Sequence, residues 1–125
     1  MILAVDVGNT RIKAAVFEGD TLLESFVFQK TTIEKSIQNI LNKYKNISYL
    51  VVASVSDVEK LAFSSFEKEV KIHFVSHKDI FPFQNCYETP KTLGIDRMVL
   101  AAGATLQYPN QNRLVIDAGT CVTFD

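Results

Sequence analysis

The stretch Ala4-Val5-Asp6-Val7-Gly8-Asn9-Thr10-Arg11-Ile12-Lys13 constrains this chain more than any other. It sets a carboxylate, a glycine and small hydrogen-bonding residues at the end of an apolar run. Ile2, Leu3, Ala4 and Val5 are uninterrupted, as a strand covered on both faces requires, and Asp6 brings the first charge where that strand is expected to end. Beyond Gly8, the residues Ile12, Ala14 and Val16 fall on one face and Arg11 and Lys13 on the other, which reads as a second strand paired back on the first. The turn is expected over residues 6–10, with Gly8 supplying a positive φ and letting a phosphate approach the backbone. Amides of Gly8, Asn9 and Thr10 then point at phosphate oxygens. Asp6, itself negative, would hold a hydrated Mg²⁺ instead of touching the phosphate. Lys13 shares strand parity with Asn9 and reaches back along that face. The same residues also suit an ordinary Gly-Asn turn between two strands, with Asp6 capping it.

With 125 residues, 47% of them hydrophobic and 22% charged, the chain has the length and apolar content of one domain with a sizeable core. A net charge of −1 and a pI near 6.1 provide no field for wrapping nucleic acid or lying on an anionic membrane, so neither is expected as a partner. Cys86 and Cys121 stand far apart, without a Cys-x-x-Cys pair or accompanying His ligands. A zinc site is therefore unsupported, and two free thiols suit a reducing cytoplasm. The chain enters its first strand without a basic leader, and no apolar run approaches membrane-spanning length, so a cytoplasmic location is expected.

Glu18-Gly19-Asp20 signals a turn, and residues 21–29, with Leu22, Leu23, Phe26, Val27 and Phe28, read as a third antiparallel strand. Ile33, Ile37, Ile40, Leu41 and Tyr44 recur at helical spacing behind a capping box of Thr31 and Glu34, predicting an amphipathic helix over 32–45. Lys35, Gln38, Asn39 and Asn42 form its polar face. Residues 49–55 are again almost wholly apolar, a central strand, and Ser56 with Glu59 offers a second capping box for a helix over 57–69. Residues 71–76 suit a further strand. Residues 77–90, with Pro82 and Pro90, make an irregular segment longer than most connections, of the kind that often binds. A helix follows Thr92-Leu93-Gly94 and stops before Pro109, with Asp96 and Arg97 in its first turn, where an acid is also routine for dipole reasons alone.

The closing segment repeats the opening pattern. Arg113-Leu114-Val115-Ile116-Asp117-Ala118-Gly119-Thr120-Cys121-Val122-Thr123-Phe124-Asp125 offers an apolar strand, Asp-x-Gly, a small polar residue and a second alternating strand, 111 residues after the first copy. This spacing suits one domain, residues 1–110, followed by the opening hairpin of a second, related domain at 111–125. Two such hairpins facing each other would grip the phosphates of one nucleotide.

Three motifs together resemble those of the type III pantothenate kinases, within the superfamily of acetate and sugar kinases, Hsp70 chaperones and actin. Asp6-Val7-Gly8-Asn9-Thr10-Arg11-Ile12-Lys13 is similar to Asp-x-Gly-Asn-Thr-x-x-Lys, Gly94-Ile95-Asp96-Arg97 to Gly-x-Asp-Arg, and the segment from Asp117 to Asp125 to Asp-x-Gly-Thr-x-x-Thr-x-Asp. Met98 stands where many members carry an aromatic residue, and Cys121 where alanine is frequent.

The resemblance implies an α/β, ribonuclease-H-like fold of the actin-like ATPase type: a mixed sheet of three antiparallel strands extended by parallel ones, with helices on both faces. It implies transfer of the ATP γ-phosphoryl group to pantothenate, the first step toward coenzyme A. In that pattern Asp6 organises Mg²⁺, while Val7, Gly8, Asn9, Thr10, Lys13, Gly119 and Thr120 hold ATP and its phosphates. Asp96 is the base, Tyr87, Gly94, Ile95 and Arg97 line the pantothenate pocket with it, and Asp117 helps bind a monovalent cation, K⁺ or NH₄⁺. Arg97 would pair with the pantothenate carboxylate or orient Asp96. The family works as cytoplasmic homodimers and its members are about twice as long as this chain, so an N-terminal portion, inactive alone, is expected. Two other readings share the fold: a regulatory accessory protein, which needs no base beside Arg97, and an ATP or polyphosphate hydrolase, which lacks the Thr-Leu-Gly-Ile-Asp-Arg segment.

Overall fold

The computed structural model describes residues 1–54 and 60–125. Their contacts divide into two compact units, Met1–Val75 and Ser76–Asp125.

In the first unit β1 (Ile2–Val7) lies at the centre of a five-stranded sheet of order β3-β2-β1-β4-β5. β2 (Ile12–Glu18) and β3 (Thr21–Phe28) extend it on one side as antiparallel hairpins. β4 (Tyr49–Ser54) and β5 (Lys71–Phe74) extend it on the other side as parallel strands. The three antiparallel and two parallel strands follow the predicted order. Period-two alternation decides which face is covered: Leu3, Val5 and Val7 of β1 and Ile12, Ala14 and Val16 of β2 are all buried. They form one core cluster with Leu50 and Val52 of β4 and with Ile33, Ile37, Ile40 and Leu41 of α1 (Ile33–Lys43). Gly19, at φ 57°, makes the tight β2–β3 turn and is the described glycine with a positive φ.

Helix boundaries depart from expectation. α1 starts after a 3₁₀ turn at Lys30–Thr32, and the Thr31–Glu34 capping box does not form. Thr32 is the N-cap, and its hydroxyl donates to the Gln29 carbonyl, closing the preceding turn instead of satisfying a helix amide. The second helix was expected over 57–69. Its described part, α2 (Lys60–Phe63), gives way to a 3₁₀ turn at Ser64–Phe66, because Ser64 bonds back to the Leu61 carbonyl and Phe63 and Phe66 must both reach the core. The Ser56–Glu59 capping box, the start of that helix and Val55 lie outside the described residues. β5 stops at Phe74, although the Val75 amide still donates to the Val52 carbonyl.

The second unit opens with the irregular segment expected from its prolines. A 3₁₀ turn at Pro90–Thr92 then leads into α3 (Ile95–Gln107); Leu93 between them is buried, as are Ile95 and Met98 of the helix. β6 (Ile116–Ala118) and β7 (Val122–Phe124) form a separate antiparallel hairpin. The contact division falls after Val75, so α3 groups with this hairpin. The layer of helices seen within the first unit lies on the Leu3–Val5–Val7 face.

Candidate active site

The first hairpin places its carboxylate inside the ladder. Val7 has core-facing parity, so burying it carries pairing past Asp6: Asp6 stands opposite Lys13 and Val7 opposite Ile12. The turn is therefore the four-residue loop 8–11, not 6–10, and Asp6 is a strand residue. The parity of Lys13 with Asn9 is lost across that loop and replaced by direct pairing with Asp6. On its other side Asp6 neighbours Ala53 of β4. The chain runs outward from β1 toward β2 on one side and β4 on the other, so Asp6 sits at the carboxyl ends of strands where strand order reverses, the usual ligand crevice of open α/β sheets.

Gly8 does not have the expected positive φ. Its requirement is proximity: its amide donates to the Arg11 carbonyl at 3.1 Å, and a Cβ here would also lie 3.1 Å from that oxygen. Asn9 and Thr10 at the loop tip are exposed.

The second cluster gathers around the start of α3. Gly94 is the N-cap residue, extended at φ −57° and ψ 139°, and no side chain caps the helix there. Asp96 folds back, its Oδ1 accepting the Arg97 amide at 2.9 Å. A Cβ on residue 94 would overlap that same oxygen, so the glycine keeps room for the carboxylate. Ile95 turns its side chain into the interior.

Arg97 extends in another direction. Its Nε donates to Asp125 Oδ2 at 2.8 Å and Oδ1 at 3.0 Å, Nη2 pairs with Oδ1 and reaches the Phe124 carbonyl at 3.4 Å. The guanidinium carbon lies 5.2 Å from the centroid of the Tyr87 ring. Hydrogen bonding to Asp125 pushes the Arg97 pKa above its already high ordinary value, so the group is a permanent cation. The sequence reading assigned Asp125 no role. Its signal was the final acid of Asp-x-Gly-Thr-x-x-Thr-x-Asp.

The closing hairpin repeats the first with one residue fewer. Asp117 is again the penultimate strand residue and Gly119 the first loop residue, but the loop 119–121 has three residues, with the Gly119 amide donating to the Cys121 carbonyl at 3.0 Å. Asp117 consequently faces Thr123, where Asp6 faces Lys13. Thr123 Oγ1 is buried without a hydrogen-bond partner among the described residues. An orphaned hydroxyl opposite a carboxylate is an all-oxygen donor pair, which suits a hard cation rather than a thiophilic one. Thr120 is exposed in the loop. For Mg²⁺ the fit is of a different kind. No group of three or more His, Cys, Asp or Glu that could hold a metal occurs among the described residues, and one carboxylate, as Asp6 would supply, suits an ion that keeps its waters and takes its other ligands from phosphate.

Within the second unit a cleft of about 230 Å³ is lined by His77, Phe81, Phe83, Lys91 and Met98 among others, and His77 Nε2 lies 2.7 Å from the Leu93 carbonyl. Met98, one of the two departures from the family pattern, is packed there and buried. Among the described residues no helix is long and apolar enough to cross a membrane.

A mixed five-stranded sheet with an Asp-x-Gly hairpin at its centre, echoed by a second Asp-x-Gly hairpin, defines the ribonuclease-H-like class of actin-like ATPase folds. The type III pantothenate kinase family profile matches residues 2–125, and the chain belongs to that family. It is 71% identical over its whole length to a type III pantothenate kinase of Flavobacterium johnsoniae, covering 51% of that protein. Identity is 55% to the one from Flavobacterium psychrophilum and 39% to the one from Christiangramia forsetii, over 52% and 51% of their lengths, again with this chain covered in full. The chain thus spans about half the length of the curated relatives it matches.

Proposed function

We propose that this chain serves ATP-dependent phosphorylation of pantothenate to 4′-phosphopantothenate, the first step of coenzyme A biosynthesis. The observation that carries the reading is the family match over residues 2–125, with Asp96 held clear by Gly94 in the first turn of α3.

Phosphoryl transfer needs mainly positioning and charge neutralisation. Amides of Asn9 and Thr10, with the Val7 backbone and the Lys13 ammonium, hold the ATP phosphates; the Gly8 amide, expected to join them, closes the hairpin on the Arg11 carbonyl, so Gly8 serves by giving the phosphate room, and Gly119 and Thr120 make further nucleotide contacts. Asp6 would hold a hydrated Mg²⁺, which when bound neutralises phosphate charge, and Asp117 with Thr123 would hold K⁺ or NH₄⁺. Asp96 accepts the proton of the 4′-hydroxyl as its oxygen attacks the γ-phosphorus and ADP leaves. Arg97 pairs with the substrate carboxylate, Tyr87 and the backbone of Gly94 and Ile95 complete the pocket, and Asp96 accepts a hydrogen bond from the Arg97 backbone amide. We further propose that residues 1–110 and 111–125 belong to two related domains, and that the enzyme is a cytoplasmic homodimer requiring the second half of its relatives' length for activity.

The test is a chimera in which this chain replaces the matching N-terminal half of the Flavobacterium johnsoniae relative. ADP release that depends on pantothenate and is lost in Asp96→Asn is the expected result. ADP release without pantothenate would overturn the reading in favour of a hydrolase.

A further inference from the structure

The Asp125 carboxylate is spent on Arg97, and none of the roles above accounts for it. Nε and Nη2 of Arg97 both donate to Asp125, a side-on fork that fixes the plane of the guanidinium, and Nη2 adds the Phe124 carbonyl. The Tyr87 ring lies 5.2 Å from the guanidinium carbon. Both side chains of the ion pair are four-fifths buried, a setting in which solvent screens the interaction far less than at an open surface. Nη1 takes no part in the Asp125 fork or the Phe124 bond, and a side-chain hydrogen bond with Tyr87 adds to the restraint on the cation. The arrangement therefore leaves one donating edge of a cation whose other edge and ring contact are already fixed.

We propose that Asp125 is a positioning residue, which together with Tyr87 locks Arg97 so that its remaining amino group meets the carboxylate of the acceptor substrate. The inference rests on the pantothenate reading and adds a residue to it. An unrestrained arginine would lose much of its rotamer freedom on binding substrate, whereas one already held by Asp125 has lost that freedom on folding. Locking also sets selectivity. A guanidinium fixed in one plane rewards an anionic acceptor and gains little from a neutral analogue.

The experiment uses the chimera and compares two acceptors, pantothenate and the corresponding alcohol that lacks the carboxylate. Asp125→Asn should raise KM for pantothenate about tenfold, the worth of one charged hydrogen bond. KM for ATP and for the alcohol should stay close to wild type, so that discrimination between the acceptors collapses. Asp125→Glu should recover part of that discrimination. Asp125→Ser is read the same way if the asparagine variant does not accumulate. Equal losses on both acceptors would mark Asp125 as merely structural, and a fall in KM for pantothenate would mean that Asp125 competes with substrate for Arg97. Either result overturns the proposal. A wild-type chimera that releases ADP without pantothenate would instead sink the functional reading beneath it.

Discussion

Asp6 and Lys13 face each other across the β1–β2 ladder, one pair inside the Val7–Ile12 closure of the hairpin. A carboxylate and an ammonium thus occupy paired positions in the ladder beneath the loop 8–11, the two residues proposed above to hold Mg²⁺ and phosphate. Lys13→Met should weaken MgATP binding roughly tenfold or more, since it removes one charge-assisted contact. Thermal stability should change little, because Lys13 is exposed. Calorimetric titration of MgATP into the chimera checks this, and unchanged affinity would remove Lys13 from the site.

Replacing Asp96 by Asn keeps size and most hydrogen bonding but removes the carboxylate proposed as base. Turnover should drop about 10²–10⁴-fold while ATP affinity is retained. Gly94→Ala should imitate the loss in part, because the new Cβ displaces the Asp96 carboxylate from its seat on the Arg97 amide. Steady-state kinetics on both variants provide the check; near-normal kcat in Asp96→Asn would end its assignment as base.

A third prediction concerns the first unit and pH. Lys43 Nζ donates to Glu24 Oε2 at 2.6 Å and Tyr44 Oη to the same oxygen at 2.6 Å, tying α1 to β3. The Lys43 bond, then the Tyr44 bond, hold the Glu24 carboxyl below its ordinary value of 4.5. A depressed folded-state pKa means the stabilisation is complete above the unfolded value and is lost as pH falls through the folded one. Glu24→Gln should therefore lower Tm at pH 7 and have almost no effect once the pH lies well below 4. Thermal melts at the two pH values decide it, an equal effect at both being the contrary result.

Ile37 is fully buried at the centre of the α1–sheet core. Ile37→Ala should cost about 2–5 kcal/mol, the range for emptying such a site. Urea unfolding followed by circular dichroism measures it, and a loss below 1 kcal/mol would indicate that the core relaxes into the space.

Alternation and apolar runs in the sequence marked the strands and their buried faces, because a period of two with one covered face allows a single register, and the family resemblance supplied three antiparallel strands extended by parallel ones; the order β3-β2-β1-β4-β5 is seen only in the fold. The amphipathic spacing of Ile33, Ile37, Ile40 and Leu41 likewise located α1 to within two residues. Three motifs were sufficient for the family, since each names a residue type that its chemistry needs. What tertiary structure decided is of another kind. Burial of Val7 drew Asp6 into the ladder, and Thr32 closed a turn where Thr31 was expected to cap a helix. Deleting one loop residue gave Asp117 a threonine partner where Asp6 has a lysine. The Arg97–Asp125 pair spans 28 residues of sequence, a separation over which no periodicity operates. Local pattern follows from which side of an element a residue faces, whereas partners distant in sequence are settled only when packing brings the elements together.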